Sequence, residues 1–193
     1  MAAASQDITD TLFIDAMRRV PTAVSVITTD GPAGRFGVTV SAVASVSAEP
    51  RMLLVCINRR SPVCAAIREN RIFTVNFLSE SQSHVADCFA GRPAAGAGPA
   101  FTFDLAVWTL NEAGLAPHLE DAAAAFHCSI EQAHDAGTHT VFIGRVATAV
   151  SGETPPLAYV HRDYAGMTRL RDCLKSRSGG RMGAIFCAPV LTY

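Results

Sequence analysis

The sequence contains little charge, and neither sign is in clear excess. Only 17% of its 193 residues are Asp, Glu, Lys or Arg, and the formal net charge is −1. A protein that binds a nucleic-acid backbone needs a concentrated positive field, and the arginines do not gather in one run. We therefore expect no nucleic-acid partner. The 49% share of hydrophobic residues predicts a globular body whose surface is partly covered by another subunit.

Long apolar runs are also missing. No run approaches the ~20 residues that a membrane-spanning helix needs. The N-terminal stretch MAAASQDITD lacks a positive segment followed by an apolar one, as a secretory leader would have. These absences predict a soluble, cytoplasmic protein with no membrane partner.

Metal-binding motifs are absent as well. None of the six cysteines forms a Cys-x-x-Cys pair or a cluster with histidine at metal-ligand spacing. His127 and Cys128 are neighbours, but adjacent side chains on a strand point to opposite faces. We expect no metal site, and small buried thiols in a reducing cytoplasm.

Short β-branched and apolar runs alternate with turn signals along most of the chain. Strands are predicted at TAVSVITT, RFGVTVSAVASVS, MLLVCIN, IFTVNFL, AVWTL, AFHCSIEQAH, HTVFIGRVATAV and LAYVHRDY. Helices are predicted at TLFIDAMRRV, which Thr9 or Asp10 caps and Pro21 ends, at SPVCAAIREN, and at SESQSHVADCFAG, which Gly91 ends. Many short strands with few helices indicate a mainly β barrel, and the length suits one domain.

The segment 35–47 carries hydroxyls among its valines and alanines. On a single strand, Thr39, Ser41, Ser45 and Ser47 share one face and the apolar residues share the other. One interpretation is the solvated face of an antiparallel sheet. The other is that small hydroxyls and Gly37 let a flat ligand approach the backbone. This segment alone does not decide between them.

The order of the segments that follow is more specific. GVTVSAVASVSAEPRMLLVCINRRSPVCAAIRENRIFTVNFLSESQSHVADCFAG, then GTHTVFIGRV, then PPLAYVHRDYAG resemble the flavin reductase family of FMN-binding split-barrel proteins. The resemblance runs from about Phe13 to Gly166. It implies a mainly β (α+β) fold, an antiparallel split β-barrel of the FMN-binding type with a few short flanking helices. We expect a flavin-binding domain at 1–165 and a C-terminal extension at 166–193 that packs on the body or on the partner subunit.

The resemblance also implies which residues bind the flavin. Three motifs match: the first lies along the ring and ribityl chain, the second lies near the ribityl phosphate, and the third borders the cofactor. The implied residues are Gly37, Val38, Thr39, Val40, Ser41 and Ala42 in the first motif, Cys56, Ile57, Asn58, Arg59, Ser61 and Pro62 in the second, and Phe89, Ala90 and Arg92 in the third. A helix that starts at Ser61 would offer amide donors and a positive dipole end to the phosphate.

The remaining matches fall on the nicotinamide side, where we expect His139, His161 and Tyr164. Two positions depart from the family pattern, because Thr138 replaces an acidic residue and Val160 stands where a histidine is usual. The resemblance implies hydride transfer between cofactors, so we expect no catalytic side chain and positioning as the source of the rate. FMN or FAD stays open, because the adenylate half could lie on surface that the sequence does not assign. NADH or NADPH stays open, because no dinucleotide fingerprint is present.

The function implied is an NAD(P)H:flavin oxidoreductase, a homodimer that supplies reduced flavin to a partner monooxygenase. The alternative is a flavin-binding split-barrel protein without reductase turnover, which the two departures favour. An oxidase related to the pyridoxamine-phosphate oxidases lacks support, because no second arginine-lysine phosphate cluster is found. A generic ligand-carrier barrel would explain the strands but not the order of the motifs.

Overall fold

The computed structural model describes residues 10–110 and 115–167. The helices are α1 Asp10–Met17, α2 Pro62–Asn70 and α3 Ser83–Phe89, and a 3-10 turn, Glu80–Gln82, precedes α3. The strands are β1 Thr22–Ala23, β2 Ser25–Thr29, β3 Phe36–Val40, β4 Val43–Ala48, β5 Arg51–Asn58, β6 Ile72–Phe77, β7 Trp108–Thr109, β8 His118–Leu119, β9 Ala124–Ala136, β10 His139–Ser151, β11 Leu157–Val160 and β12 Asp163–Gly166.

The main sheet curls so that its two edges meet at one end. Its seven antiparallel strands run in the order β3-β2-β6-β9-β10-β5-β4, so the two edge strands are consecutive in the chain. Only Ser41 and Ala42 separate them, and the Cys56 N–H donates to the Ala42 carbonyl at 3.0 Å. Because only two residues join them, one end of each edge strand must lie close to the other, which curls the sheet toward a barrel. The expected mainly β barrel with a few short helices is confirmed.

Strand β2 is buried on both faces, although serine and threonine make up much of it. Val26 packs in a cluster with Val85 and Phe89 of α3, and Ile27 packs in a second cluster with Ile67 of α2. Alternation along the strand sends these neighbours to opposite sides. Fully burying each contributes roughly 1.5–3 kcal/mol. The two clusters therefore hold α2 and α3 against the barrel, and these helices position the site.

Three of the expected strands are wrong, because each is two strands. TAVSVITT divides at Val24 into β1 and β2, which belong to different sheets. Segment 35–47 divides at Ser41 and Ala42, where the chain passes from one sheet edge to the other. The hydroxyls of residues 39–47 therefore do not share one face of a single strand.

LAYVHRDY is also divided, into the hairpin of β11 and β12. His161 and Arg162 form its turn with φ values of 54° and 66°. A two-residue turn with both φ positive normally carries Asn and Gly, so this sequence gave no turn signal. His161 is therefore a turn residue and does not belong to either strand face.

Helix α1 ends at Met17, before the expected stop at Pro21. After it the chain makes one tighter turn, in which the Val20 N–H donates to the Met17 carbonyl at 3.1 Å. None of its residues is buried; Phe13 is 58% exposed and Met17 is 48% exposed. The helix thus presents apolar surface.

Within residues 10–110 and 115–167, no helix is both long and apolar enough to cross a bilayer. The proposed cap Thr9, and the expected C-terminal extension from residue 168 onward, lie outside the described residues. The division into 1–165 and 166–193 stays a prediction.

Candidate functional site

A groove of about 700 Å³ lies where β3 meets the start of α2 and the end of α3. Eight of the expected flavin-site residues line it: Gly37, Val38, Thr39, Asn58, Ser61, Pro62, Phe89 and Ala90. Five residues that the sequence reasoning did not select complete the lining: Arg35, Phe36, Arg60, Val63 and Phe101. The fold therefore brings parts of all three motifs to one cavity.

The turn between β5 and α2 forms the polar corner of the groove. The Asn58 carbonyl accepts the Ser61 N–H at 2.9 Å, and Asn58 Oδ1 accepts the Arg60 N–H at 2.9 Å. Ser61 is the extended N-cap of α2, and Pro62 occupies the first helical turn, as expected. The Ser61 hydroxyl makes no capping hydrogen bond. This corner aims the positive end of a nine-residue helix and a hydroxyl at the groove, which suits an anion.

Strand β3 is fixed against α3 by two contacts. Thr39 Oγ1 donates to the Ala86 carbonyl at 2.7 Å. A Cβ on Gly37 would lie 2.5 Å from Phe89 Cε1. Gly37 therefore makes room for the Phe89 ring, and it also lines the groove.

Phe89 is held rigidly at the end of α3. It is 1% exposed, and its ring meets Phe103 and Trp108 edge to face, with centroids 5.1 Å and 5.6 Å apart. This aromatic cluster fixes the α3 side of the groove. The sequence pattern is compatible with either a core role or a cofactor role for Phe89, and the structure places the residue in both the core and the groove lining.

The charges on the groove lining are cationic. Arg35 pairs with Asp30 at 2.8 Å, Arg60 also faces the groove, and no Asp or Glu occurs among its described lining residues. A second groove, of about 900 Å³, is larger but carries Glu80 and Glu153. Carboxylates repel a phosphate and guanidinium groups attract it. A phosphate-bearing ligand is therefore favoured in the smaller groove.

Several expected flavin residues lie outside the groove lining. Val40 is half-buried and Ile57 is 1% exposed, and both contribute to the core beside α2. Ser41 and Ala42 are exposed at the edge-to-edge crossing. Cys56 is half-buried, and burial raises the pKa of its thiol.

The two outlying arginines are occupied elsewhere or exposed. Arg59 Nε lies 3.9 Å from Asp135 Oδ2, and Arg59 Nη1 lies 3.4 Å from the Gly137 carbonyl. Arg92 is exposed, and its N–H donates to the Asp87 carbonyl at 2.8 Å. Of the two adjacent arginines 59 and 60, only Arg60 is among the described residues that line the groove.

The three expected nicotinamide-side residues come from two places and none is part of the groove lining. His139 is exposed, lies opposite Asn58 in the β10–β5 pairing, and its Nδ1 is 2.9 Å from Thr138 Oγ1. Tyr164 donates its hydroxyl to Asp87 Oδ1 at 2.8 Å. Burial, followed by the Asp87 carboxylate, raises the Tyr164 pKa well above its usual range. The His161 N–H donates to the Arg18 carbonyl at 2.7 Å.

The five lining residues that were not selected differ in how far the sequence could have predicted them. Arg60 and Val63 flank the predicted Ser61–Pro62 helix start, so their position was accessible to sequence reasoning. Phe36 begins β3 and Arg35 precedes it, and no contact was assigned to either residue. Phe101 follows the Gly- and Ala-rich connection after α3, where no local pattern indicates which residue returns to the cavity.

Comparison with known proteins identifies the relatives of this chain. A family profile described as Flavin reductase like domain matches residues 17–168. FMN reductase (NADH) RutF of Variovorax paradoxus is 43% identical over 153 residues, which are 79% of this chain and 82% of that protein. FMN reductase (NADH) RutF of Escherichia coli is 40% identical over 159 residues, which are 81% of this chain and 93% of that protein.

Solved structures agree with the sequence comparisons. The flavin reductase PheA2 superposes with a TM-score of 0.74 at 30% identity, covering 84% of this chain and all (100%) of that one. BorF, the flavin reductase component of a bacterial two-component tryptophan halogenase, gives a TM-score of 0.73 at 28% identity, covering 83% of this chain and 99% of that one. These likenesses confirm the split-barrel fold class.

Proposed function

Because the chain belongs to the flavin reductase family, we propose that it is an NADH-dependent flavin reductase. The observation that carries the proposal is the cationic groove, in which β3 meets the amide-rich start of α2. The relatives named FMN reductase (NADH) support NADH as the donor and FMN as an acceptor. FAD stays open as a second acceptor.

In this proposal the α2 corner binds the flavin phosphate. The Ser61 hydroxyl and the amides at the helix start donate to it, and Arg60 adds a positive charge. The backbone of β3 aligns the flat ring, which Phe89 borders through its fixed position. A bound flavin supplies the hydride acceptor. The chain therefore contributes binding, orientation and electrostatics rather than an acid or a base.

We propose His139, His161 and Tyr164 for the nicotinamide side. His139 is exposed beside Asn58, so it lies near the groove's polar corner. Tyr164 is anchored to Asp87 of α3, the helix whose end borders the same groove. His161 is exposed in its turn.

We also propose a homodimer that delivers reduced flavin to a separate oxygenase in the cytoplasm. The exposed apolar face of α1 supports a covering subunit. BorF is described as the reductase component of a two-component halogenase, and SMOB of Pseudomonas putida, 25% identical, as a styrene monooxygenase flavin reductase. Those descriptions support a similar division of labour here.

The direct test mixes purified protein with NADH and FMN and follows the loss of reduced-nicotinamide absorbance. We expect oxidation that depends on both the protein and the flavin. Ala90→Leu narrows the groove from its lining and should lower the rate at least tenfold, whereas the matched control Ala65→Leu, on the exposed side of α2, should not.

The Thr138 hydroxyl at His139 Nδ1, where an acid is usual, favours the second candidate of flavin binding without turnover. A yellow protein that binds FMN but oxidises neither NADH nor NADPH would replace the reductase proposal with that candidate.

A further inference from the structure

Phe101 combines two unusual properties at the groove. Its ring is 53% exposed although it lines the cavity, and its backbone has φ of 61°. Bulky residues rarely adopt positive φ, and such strain persists only where the surroundings impose it. Neither exposure of a large ring nor strain at its backbone benefits the fold. Their coincidence in the groove indicates a ligand contact.

The surroundings of Phe101 hold the ring in place. Its N–H donates to the carbonyl of buried Cys88 at 3.1 Å. A Cβ on Gly91, which has φ of 76°, would lie 3.1 Å from Phe101 Cζ. The residue is therefore anchored to the end of α3, and the absent side chain of Gly91 gives its ring a place to lie.

Phe101 differs from the aromatic residues around it. Phe89, Phe103 and Trp108 contact one another edge to face, with Phe89 and Trp108 buried. The surfaces of these rings are therefore taken up by contacts with one another inside the protein. The Phe101 ring instead keeps about half its surface available, and an aromatic surface of this kind is what a nucleobase stacks on.

We propose that Phe101 is a stacking platform for the adenine ring of a bound dinucleotide, FAD or NADH. The proposal rests on the proposed function, which gives the α2 corner to a phosphate. The start of α2 and the end of α3, to which Phe101 is anchored, both border the groove, so this corner and Phe101 face one cavity. FMN ends at its phosphate, whereas FAD and NADH continue through a second phosphate to adenine. Arg60 on the lining suits a pyrophosphate between the two ends.

The test measures dissociation constants for two ligand pairs that differ by the adenylate. FAD is compared with FMN, and NADH with reduced nicotinamide mononucleotide, by fluorescence and calorimetry. Phe101→Ala should weaken the adenine-bearing member of one or both pairs about tenfold and leave the shorter member unchanged. The FAD pair and the NADH pair report separately which dinucleotide uses the ring. Phe101→Tyr should retain the wild-type affinities.

Val107→Ala is the matched control, because Val107 is 65% exposed on the same connection and does not line the groove. It should change no dissociation constant. Equal weakening of both members within each pair, or no weakening, overturns the proposed stacking role. A Phe101→Tyr variant that binds less tightly than the wild type also overturns it.

FMN-dependent NADH oxidation by the wild type tests the reductase function separately. A wild-type chain that binds none of the four ligands overturns both proposals.

Discussion

Gly37 is the residue at which the site and the core meet most tightly. A Cβ there would lie 2.5 Å from Phe89 Cε1, and the Phe89 ring is confined by Phe103 and Trp108. We expect Gly37→Ala to destabilise the fold by about 1–3 kcal/mol, as overpacking does, and to weaken FMN binding. Urea denaturation and flavin titration measure the two effects.

Gly166→Ala is the control for that substitution. Its Cβ would meet only Glu80 Oε2, at 3.1 Å, the end of an exposed side chain that can move. We expect a change of about 0.5 kcal/mol or less. Equal costs at the two glycines would contradict the account of the Gly37–Phe89 contact.

His127 makes stability depend on pH. It is 4% exposed, and its Nδ1 lies 2.9 Å from Thr74 Oγ1, whose own proton goes to the Ala116 carbonyl at 2.8 Å. Nδ1–H must therefore be the donor to that hydroxyl. Burial, followed by the charge of His118, lowers the His127 pKa below its ordinary value of 6.5.

This lowered pKa predicts acid sensitivity. Below a pH of about 6.5 the unfolded chain binds a proton at residue 127 more readily than the folded chain does. The free energy of unfolding therefore decreases as the pH is lowered. Above that pH both states are neutral and the effect vanishes. His127→Gln should flatten the fall in stability between pH values of about 7 and about 5.5. Identical acid dependence in variant and wild type would contradict the assignment.

Single residues were predictable where a local rule fixes them. Ser61 and Pro62 follow the helix-start rule, and the structure places both at the start of α2. Phe101 and the Phe89 contact of Gly37 depend on which distant segments meet. Local patterns do not contain that information, so the sequence reasoning missed both.

The β11–β12 hairpin stores strain in its turn. Arg162 has φ of 66°, in the left-handed region that favours glycine. Arg162→Gly should therefore stabilise the protein by about 1 kcal/mol, measured as a higher midpoint of urea denaturation. Arg162→Val, which tolerates that region worst, should lower the midpoint. The reverse order would show that the turn has another conformation.

Elements were predictable in kind and less so in extent. The helix at Pro62–Asn70 and the strand at Arg51–Asn58 were evident from apolar spacing and end signals. The division of segment 35–47 was not. Barrel closure places that break, because the crossing at Ser41 and Ala42 joins the two edges of the sheet. An uninterrupted β-rich sequence gives no sign of such a crossing.

At the scale of the whole molecule, the apolar helix α1 is left unburied by the part of the chain that the structure describes. Phe13 and Met17 of α1 are 58% and 48% exposed. If a second copy covers this face, Phe13→Asp should place a charge in the interface and convert the dimer to a monomer. Light scattering after gel filtration measures the mass. A wild-type monomer, or a dimer that survives the substitution, would contradict the proposed role of α1.

The central claim is that the flavin lies in the groove between β3, α2 and α3. The most direct measurement is a crystal structure of the protein with FMN bound. We predict the phosphate within hydrogen-bond distance of Ser61 or of the amides that start α2, and the ring along β3 near Phe89. FMN seated in the groove of Glu80 and Glu153, or elsewhere away from the α2 corner, would contradict it.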